Sequence, residues 1–356
     1  MRLRLLAACM LPVLMTGCAT VSYYWQAALG QLEIGRVARP VAEVIAEPAT
    51  PADLRARLEY AVRAREFASR ALGLPDNQSY RRYADLRRPF VVWNVFAAPA
   101  LSLQLRTHCF PVAGCVVYRG YFAKSAADAE ALALRAEGLD VYVGGVPAYS
   151  TLGWFSDPLL NTFMRYPELE IARLIFHELA HQVAYVTDDS TFNESFAVAV
   201  EQAGLARWMA GNATPEQRAR YAAFAERRRE LGALLLSTRR QLRAAYLSSA
   251  AAVDKESAKR DIFAALVSDY TGLKSRWGLP AAETRAYDDW LLKDLNNAKL
   301  GSIATYTRRV PQFAALLAQE GGSLSAFYAQ VRLLAGLPRA QRNERLDQLV
   351  AAAGEE

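Results

Sequence analysis

The sequence predicts an α+β fold: a small β-sheet early in the chain, then an apolar helix carrying clustered polar groups, then a largely helical C-terminal half. Three observations predict it. β-Branched and aromatic runs concentrate between Phe90 and Val146. Residues 166–208 read as two helices joined by a short polar turn at 186–190. From Thr214 onward the chain is rich in Ala, Arg, Glu and Leu, with few helix breakers. The 356 residues are 53% hydrophobic and 22% charged, enough to bury a sizeable core in one or two domains.

The first residues read as a targeting segment. Arg2 and Arg4 precede an apolar run at 5–15 that ends in Thr16-Gly17-Cys18. That run is too short to span a bilayer. A small residue before Cys after such a run resembles a bacterial lipobox, with Met15 where Leu is more usual. Cleavage would remove residues 1–17 and leave an acylated Cys18, whose several chains anchor stably in a lipid bilayer. Ala19 stands where inner-membrane lipoproteins often carry Asp. The resemblance therefore implies an outer-membrane lipoprotein facing the periplasm of a Gram-negative cell. The net charge of +6 falls to +4 without Arg2 and Arg4. The basic residues are spread through the helices, which predicts solvated surface and no nucleic-acid partner.

Residues 18–165 are expected to form an N-terminal α+β region, and 166–356 a metal-binding and helical region within one continuous domain. Residues 23–30 start the mature fold, and the Ala- and Pro-rich 41–51 reads as a loop. Leu54, Leu58, Val62, Phe67 and Leu72 give helical spacing over 52–72, with turn chemistry at 73–78. Strand signals lie at 90–96, weakly at 101–107, and at 115–118. Cys109 and Cys115 flank a turn containing Pro and Gly; in an oxidising periplasm they are expected to form a disulfide. His108 beside them reads as a surface or core histidine. A helix is expected at 125–137, capped by Ser125 and stopped by Gly138, and a strand at 141–146. The following stretch, 147–155, is a candidate edge strand for pairing with an extended peptide, through Ser150, Thr151, Leu152 and Gly153. Later helices are expected at 215–248, 254–277, 286–300, 310–318 and 326–334.

The chemistry concentrates at His177-Glu178-Leu179-Ala180-His181. Two histidines four residues apart project from one helical face and can share one ion. Glu178 can reach a metal-activated water without taking a coordination position, the arrangement of zinc hydrolases. Pro167, Glu168 and Glu170 suit the start of this helix. The chain has three histidines, and two of them stand in this motif. A third ligand is needed. Across the turn, Glu194 lies nearest the level of His181, which sits about five residues, or roughly 7–8 Å, from the expected helix end. Glu201 competes, and otherwise orients a ligand. Thr191 and Glu194 could instead form a capping box.

His177–His181 followed by Asn193-Glu194-Ser195-Phe196-Ala197 resembles the gluzincin metallopeptidases, in which the glutamate after an Asn is the third zinc ligand. The spacing departs from theirs: the interval from His181 to Glu194 is shorter, and Glu201 falls nearer. The chain also resembles a bacterial family of aminopeptidase lipoproteins, through Tyr23-Tyr24-Trp25-Gln26-Ala27, Cys109–Cys115 with Tyr118-Arg119-Gly120-Tyr121-Phe122, the histidine segment, and Asn296-Asn297-Ala298-Lys299-Leu300 leading to Tyr306. These resemblances imply a zincin-like fold, Zn²⁺ on His177, His181 and Glu194, a peptide substrate, Glu178 as general base and Tyr306 as oxyanion donor, with Tyr185 the alternative. An endopeptidase, or a zinc-binding envelope lipoprotein without activity, are the competing readings.

Overall fold

A computed structural model describes residues 21–110, 114–148 and 150–353, without the side chains of 304–307 and 350–353. Cys18 and the leader lie outside the described residues. The chain opens with α1 (residues 21–37), β1 (Arg39–Pro40), α2 (Val41–Ala46) and α3 (Ala52–Leu72). Next come β2 (Arg82–Ala84), β3 (Val92–Pro99), β4 (His108–Phe110), β5 (Gly114–Val116), β6 (Arg119–Tyr121), α4 (Lys124–Ala136), β7 (Leu139–Val146) and β8 (Leu159–Leu160). The short α5 (Asn161–Met164) precedes α6 (Glu168–Ala180) and α7 (Ser190–Asn212). Seven helices complete the described chain: α8 (Pro215–Leu247), α9 (Ala252–Trp277), α10 (Ala281–Leu291), α11 (Asn297–Thr307), α12 (Val310–Gln319), α13 (Leu324–Ala335) and α14 (Arg339–Ala353). This is an α+β fold with small sheets and a helical majority.

The largest sheet runs β6-β3-β7, antiparallel throughout, with Val92 opposite Val146 and Pro99 opposite Leu139. Its β3 residues Val92–Ala98 are buried on both faces, which explains why they read as a continuous apolar run. A second small sheet, β1-β2-β8, pairs β2 with β8 in parallel. The β4–β5 hairpin carries a Cys109–Cys115 disulfide between directly opposed residues. The Cys115 amide donates to Asp188, fastening this hairpin to the α6–α7 turn.

The main core surrounds α6. Ile171, Ile175, Phe176 and Leu179 are fully buried against Leu58, Ala61, Ala64 and Ala68 of α3 and Phe192, Phe196 and Val200 of α7. Gly204 lets α7 approach closely: a Cβ there would lie 2.7 Å from Leu72 Cδ1 and 3.1 Å from Phe176 Cδ2. The α8–α9 hairpin has its own core of Leu231, Leu235, Leu242, Leu266 and Tyr270. Two polar ties join it and α11 to the sheet. Lys259 pairs with Asp140 at 2.7 Å, and the Asn297 side chain donates to the Ala100 carbonyl at 2.8 Å.

Several expectations need correction. Residues 41–51 are not all loop, because Val41 and Val44 bury into the core and hold the short α2. Residues 101–107 form no strand; Leu105 instead packs into a small cluster with Phe96 and Ala298. Helix α4 begins at Lys124, ahead of Ser125, without a side-chain cap. The expected helix at 286–300 is two helices. Asp294 adopts φ 56°, and the Asn296 side chain accepts from Lys299 N at 3.0 Å, capping a new start. Helix α14 has no counterpart among the expected elements. After β7, residues 147–148 and 150–155 form no strand, with Leu152 at φ 57° and Gly153 at φ 84°. A left-handed pair turns the chain back and forbids the extended edge strand expected there.

Candidate metal centre

Helix α6 begins after Pro167, whose fixed φ suits a helix start, with Glu168 and Glu170 in the positive first turn. It ends sooner than its apolar spacing suggested: Ala180 is the last helical residue and His181 is the C-cap. His181 still has helical dihedrals, φ −58° and ψ −22°, so the i, i+4 relation with His177 is intact. Helix α7 starts at Ser190, two residues earlier than a Thr191 cap would require. Asp189 is the N-cap and accepts from Phe192 N at 3.1 Å. The Thr191–Glu194 capping box is therefore not formed, and the Glu194 carboxylate is free to turn inward.

The turn is stapled by Asn193. Its side chain donates to the Val186 carbonyl and accepts from Val186 N, both at 2.8 Å. This fixes the first turn of α7 against the end of α6. Asp189 is buried with Arg342 of α14 at 2.7 Å, so a distant helix holds the cap in place.

Three side chains converge there. His177 Nε2 lies 3.3 Å from Glu194 Oε2, and His181 Nε2 lies 3.8 Å from the same oxygen. The two Nε2 atoms are 3.3 Å apart. All the ligating atoms fall within 4.8 Å of one another, so His177, His181 and Glu194 form a group that could hold a metal ion. Behind it, His177 Nδ1 donates to Glu201 Oε2 at 2.9 Å, leaving Nε2 to face the cluster. Arg173 Nη1 donates to that same Glu201 oxygen at 2.6 Å, and Arg173 Nε to Glu170 at 2.8 Å. Arg173 escaped the sequence reading, although Arg173, His177 and His181 share one helical spacing.

Burial and the neighbouring charges push the groups of the site in different directions. Burial disfavours a charged His177, but hydrogen bonds to Glu194 and Glu201 lift its pKa to about 10. Burial takes His181 the other way, to about 4, with His177 adding to the shift. Glu194 is held below the usual carboxylate range: burial works against this, and His181 and His177 outweigh it. Glu201 is lowered likewise, against burial, chiefly by Arg173. Glu178 is different. Burial raises it to about 7, a value matched to taking and giving protons near neutrality.

His177, Glu178, His181 and Glu194 line a cleft of about 1330 Å³. One wall is α1 with β6 and β7, through Tyr23, Gly120 and Val146; another is α8, through Arg228, Gly232 and Leu236. Tyr118 and Tyr185 also line it. Burial, reinforced by Glu194, raises both phenols, and Glu178 adds to the shift at Tyr118. In the sequence Tyr118 stood out only as part of a stretch that carries the family resemblance, with nothing to give it a role at the site. Tyr306 is on α11, three residues beyond the cleft-lining Ile303, and its side chain lies outside the described ones. Ser150 and Leu152 line the cleft. Thr151 is turned elsewhere, its amide and hydroxyl donating to Asp157 at 2.9 and 2.8 Å. Gly153 packs beside Gln182.

None of the curated proteins and none of the solved structures matches the chain. Residues 22–346 match the sequence family described as putative aminopeptidase, a span that takes in the β4–β5 hairpin, both histidines, Glu178 and Glu194. The chain belongs to that family.

Proposed function

We propose that this protein is a zinc-dependent peptidase that uses Glu178 as its general base. The observation that carries the proposal is the meeting of His177 Nε2, His181 Nε2 and Glu194 Oε2 in a cleft that Glu178 also lines. The donor set fits the ion. Two imidazoles and one carboxylate are a recurrent catalytic zinc set. Glu201 occupies the outer nitrogen of His177 and so directs its lone pair inward. Bound there, a zinc ion would supply Lewis acidity to a peptide carbonyl and make water a stronger acid.

The remaining work falls to the chain. Glu178, with its pKa near 7, takes the proton of the attacking water and passes it to the departing amine. Arg173 holds Glu201, and Glu201 holds the His177 ring. A phenol for the developing oxyanion is available from Tyr118 or Tyr185, with Tyr306 the donor proposed from resemblance. Ser150 and Leu152 are positioned to meet substrate from the loop after β7. Acylation of Cys18 would tether the body to the outer membrane, on its periplasmic side.

The family description favours an aminopeptidase. One observation favours an endopeptidase: among the described lining residues, the acids are Glu178, Glu194 and Glu201; Glu194 and Glu201 pair with His177, and Glu178 is the proposed base. No further carboxylate there is left to hold a free α-amine. The test is a peptide-library digest of the protein loaded with zinc. Glu178→Gln should keep stoichiometric zinc and lose hydrolysis by roughly a factor of a thousand or more. Full activity in that variant would sink the mechanism. Cleavage of free-amine peptides but not their N-acetylated forms identifies an aminopeptidase; equal cleavage identifies an endopeptidase. Bound zinc with no cleavage of any peptide would leave the non-catalytic reading.

A further inference from the structure

Helix α1 has two apolar faces, and the fold uses one. On the inner face Ile34 is buried at 2% exposure and Gly30 is buried, while Gln26 donates to the Gly120 carbonyl and accepts from Phe122 N. Tyr23 stacks on Phe110 at 5.3 Å and lies under the Arg119 guanidinium at 4.6 Å. These contacts fasten α1 to β6 and the β4–β5 hairpin. At about 100° per residue, the opposite face carries Val21, Trp25, Leu29 and Leu32 in one stripe. They are 69%, 66%, 48% and 60% exposed. No charged side chain interrupts them. An uninterrupted apolar stripe on a helix already packed on its other side is not explained by the fold.

We propose that α1 is an in-plane membrane helix, whose Val21, Trp25, Leu29 and Leu32 side chains insert into the interfacial layer of a lipid bilayer. Three features of the chain favour lipid as what covers the stripe. Cys18 lies three residues before Val21, so even a fully extended chain keeps the start of the stripe within about 10 Å of an acylated anchor. Trp and Leu on one side of a surface helix match the chemistry of the headgroup–acyl boundary. A stripe of four residues falls well short of the roughly 20–30 residues a side used by stable protein interfaces. No helix among the described residues is long and apolar enough to cross a membrane, so the mode is lying on the surface. Tyr23, Tyr24 and Ala27 of the same helix line the cleft. Seating α1 on a bilayer therefore places the cleft wall about one helix diameter, ~10 Å, from the lipid surface.

Placement beside an anchor rests on the proposed acylation of Cys18, and the experiment separates the anchor from the helix. The mature chain with Cys18→Ser has no acyl anchor, so any binding must come from α1. It is mixed with vesicles of phosphatidylethanolamine and phosphatidylglycerol and followed by flotation. Binding is expected, and the combined variant Trp25→Gln, Leu29→Gln, Leu32→Gln should lower the partition coefficient by roughly tenfold or more. Leu132→Gln, which removes an exposed apolar side chain from α4, should leave binding unchanged. Circular dichroism and zinc content check that each variant is folded. If the acylated wild type floats and the Cys18→Ser chain does not, the helix proposal is overturned and the anchor stands. If the Cys18→Ser chain floats while mass spectrometry finds no lipid on the native protein, the anchor reading fails and the helix proposal stands. Equal binding by the triple variant overturns it. So does a solution dimer that the triple variant abolishes, because a second copy would then cover the stripe.

Discussion

His177 is gripped on both sides of its ring, by Glu194 at Nε2 and by Glu201 at Nδ1. The two glutamates have separate tasks: one faces the cluster, the other fixes the ring and is itself fixed by Arg173. Glu201→Gln should leave the protein folded and lower zinc affinity by roughly 10–100-fold, measured by competition with a chromogenic chelator. An unchanged affinity would show that the ring is held by packing alone. Asp157 supplies a pH test. Burial raises its pKa to about 6, against two hydrogen bonds from Thr151. The folded state thus binds this proton more tightly than the unfolded chain, whose Asp titrates near about 4. The stability it contributes is fully present below about pH 4 and is lost as pH rises through about 6. Asp157→Asn removes that titration. The variant's urea midpoint should gain on the wild type's between pH 4 and pH 7, apart from a constant offset for the altered Thr151 bonds. Parallel curves for the two proteins would refute this.

At the scale of elements, the decisive unit is the α6–α7 hairpin. The motif histidines were legible because a four-residue spacing on a helix leaves them little choice of direction. Glu194 was harder. Its candidacy rested on matching axial levels in two antiparallel helices, although α6 ends at Ala180 and α7 starts at Ser190, both earlier than the spacing suggested. What brings Glu194 inward is the Asp189 cap and the Asn193 staple, and the cap depends on Arg342 from far along the chain. Arg342→Met would leave the Asp189 carboxylate buried and unpaired, which costs about 3–5 kcal/mol. Denaturant unfolding should show that loss, and Asp189→Asn in the same chain should recover part of it. The edge strand failed for a local reason. Leu152 and Gly153 take left-handed dihedrals, and a Leu in that conformation gives no warning in the sequence.

At the scale of the molecule, the cleft is assembled from parts that are remote in sequence: α1, the small antiparallel sheet, the α6–α7 hairpin and one face of α8. A ligand that binds only this assembled state must stabilise the whole. Zinc at 100 times its dissociation constant should raise unfolding free energy by about 2.7 kcal/mol, seen as a higher melting temperature that chelator reverses. His177→Ala should abolish the shift. A metal-dependent shift that persists in His177→Ala would place the ion elsewhere.

The sequence by itself determined the helical majority, the confinement of the strands to the first half, the helix carrying His177, Glu178 and His181, and a short list of candidate third ligands. Those features are local: periodicity, β-branched content and a fixed spacing act within one or two turns of chain. Tertiary structure decided the rest. It chose the position of Tyr118 in the cleft, the Arg173–Glu201 support and the Arg342–Asp189 brace. Each of these depends on a partner that packing supplies, and neither burial nor a buried ion pair is written in the residues beside it.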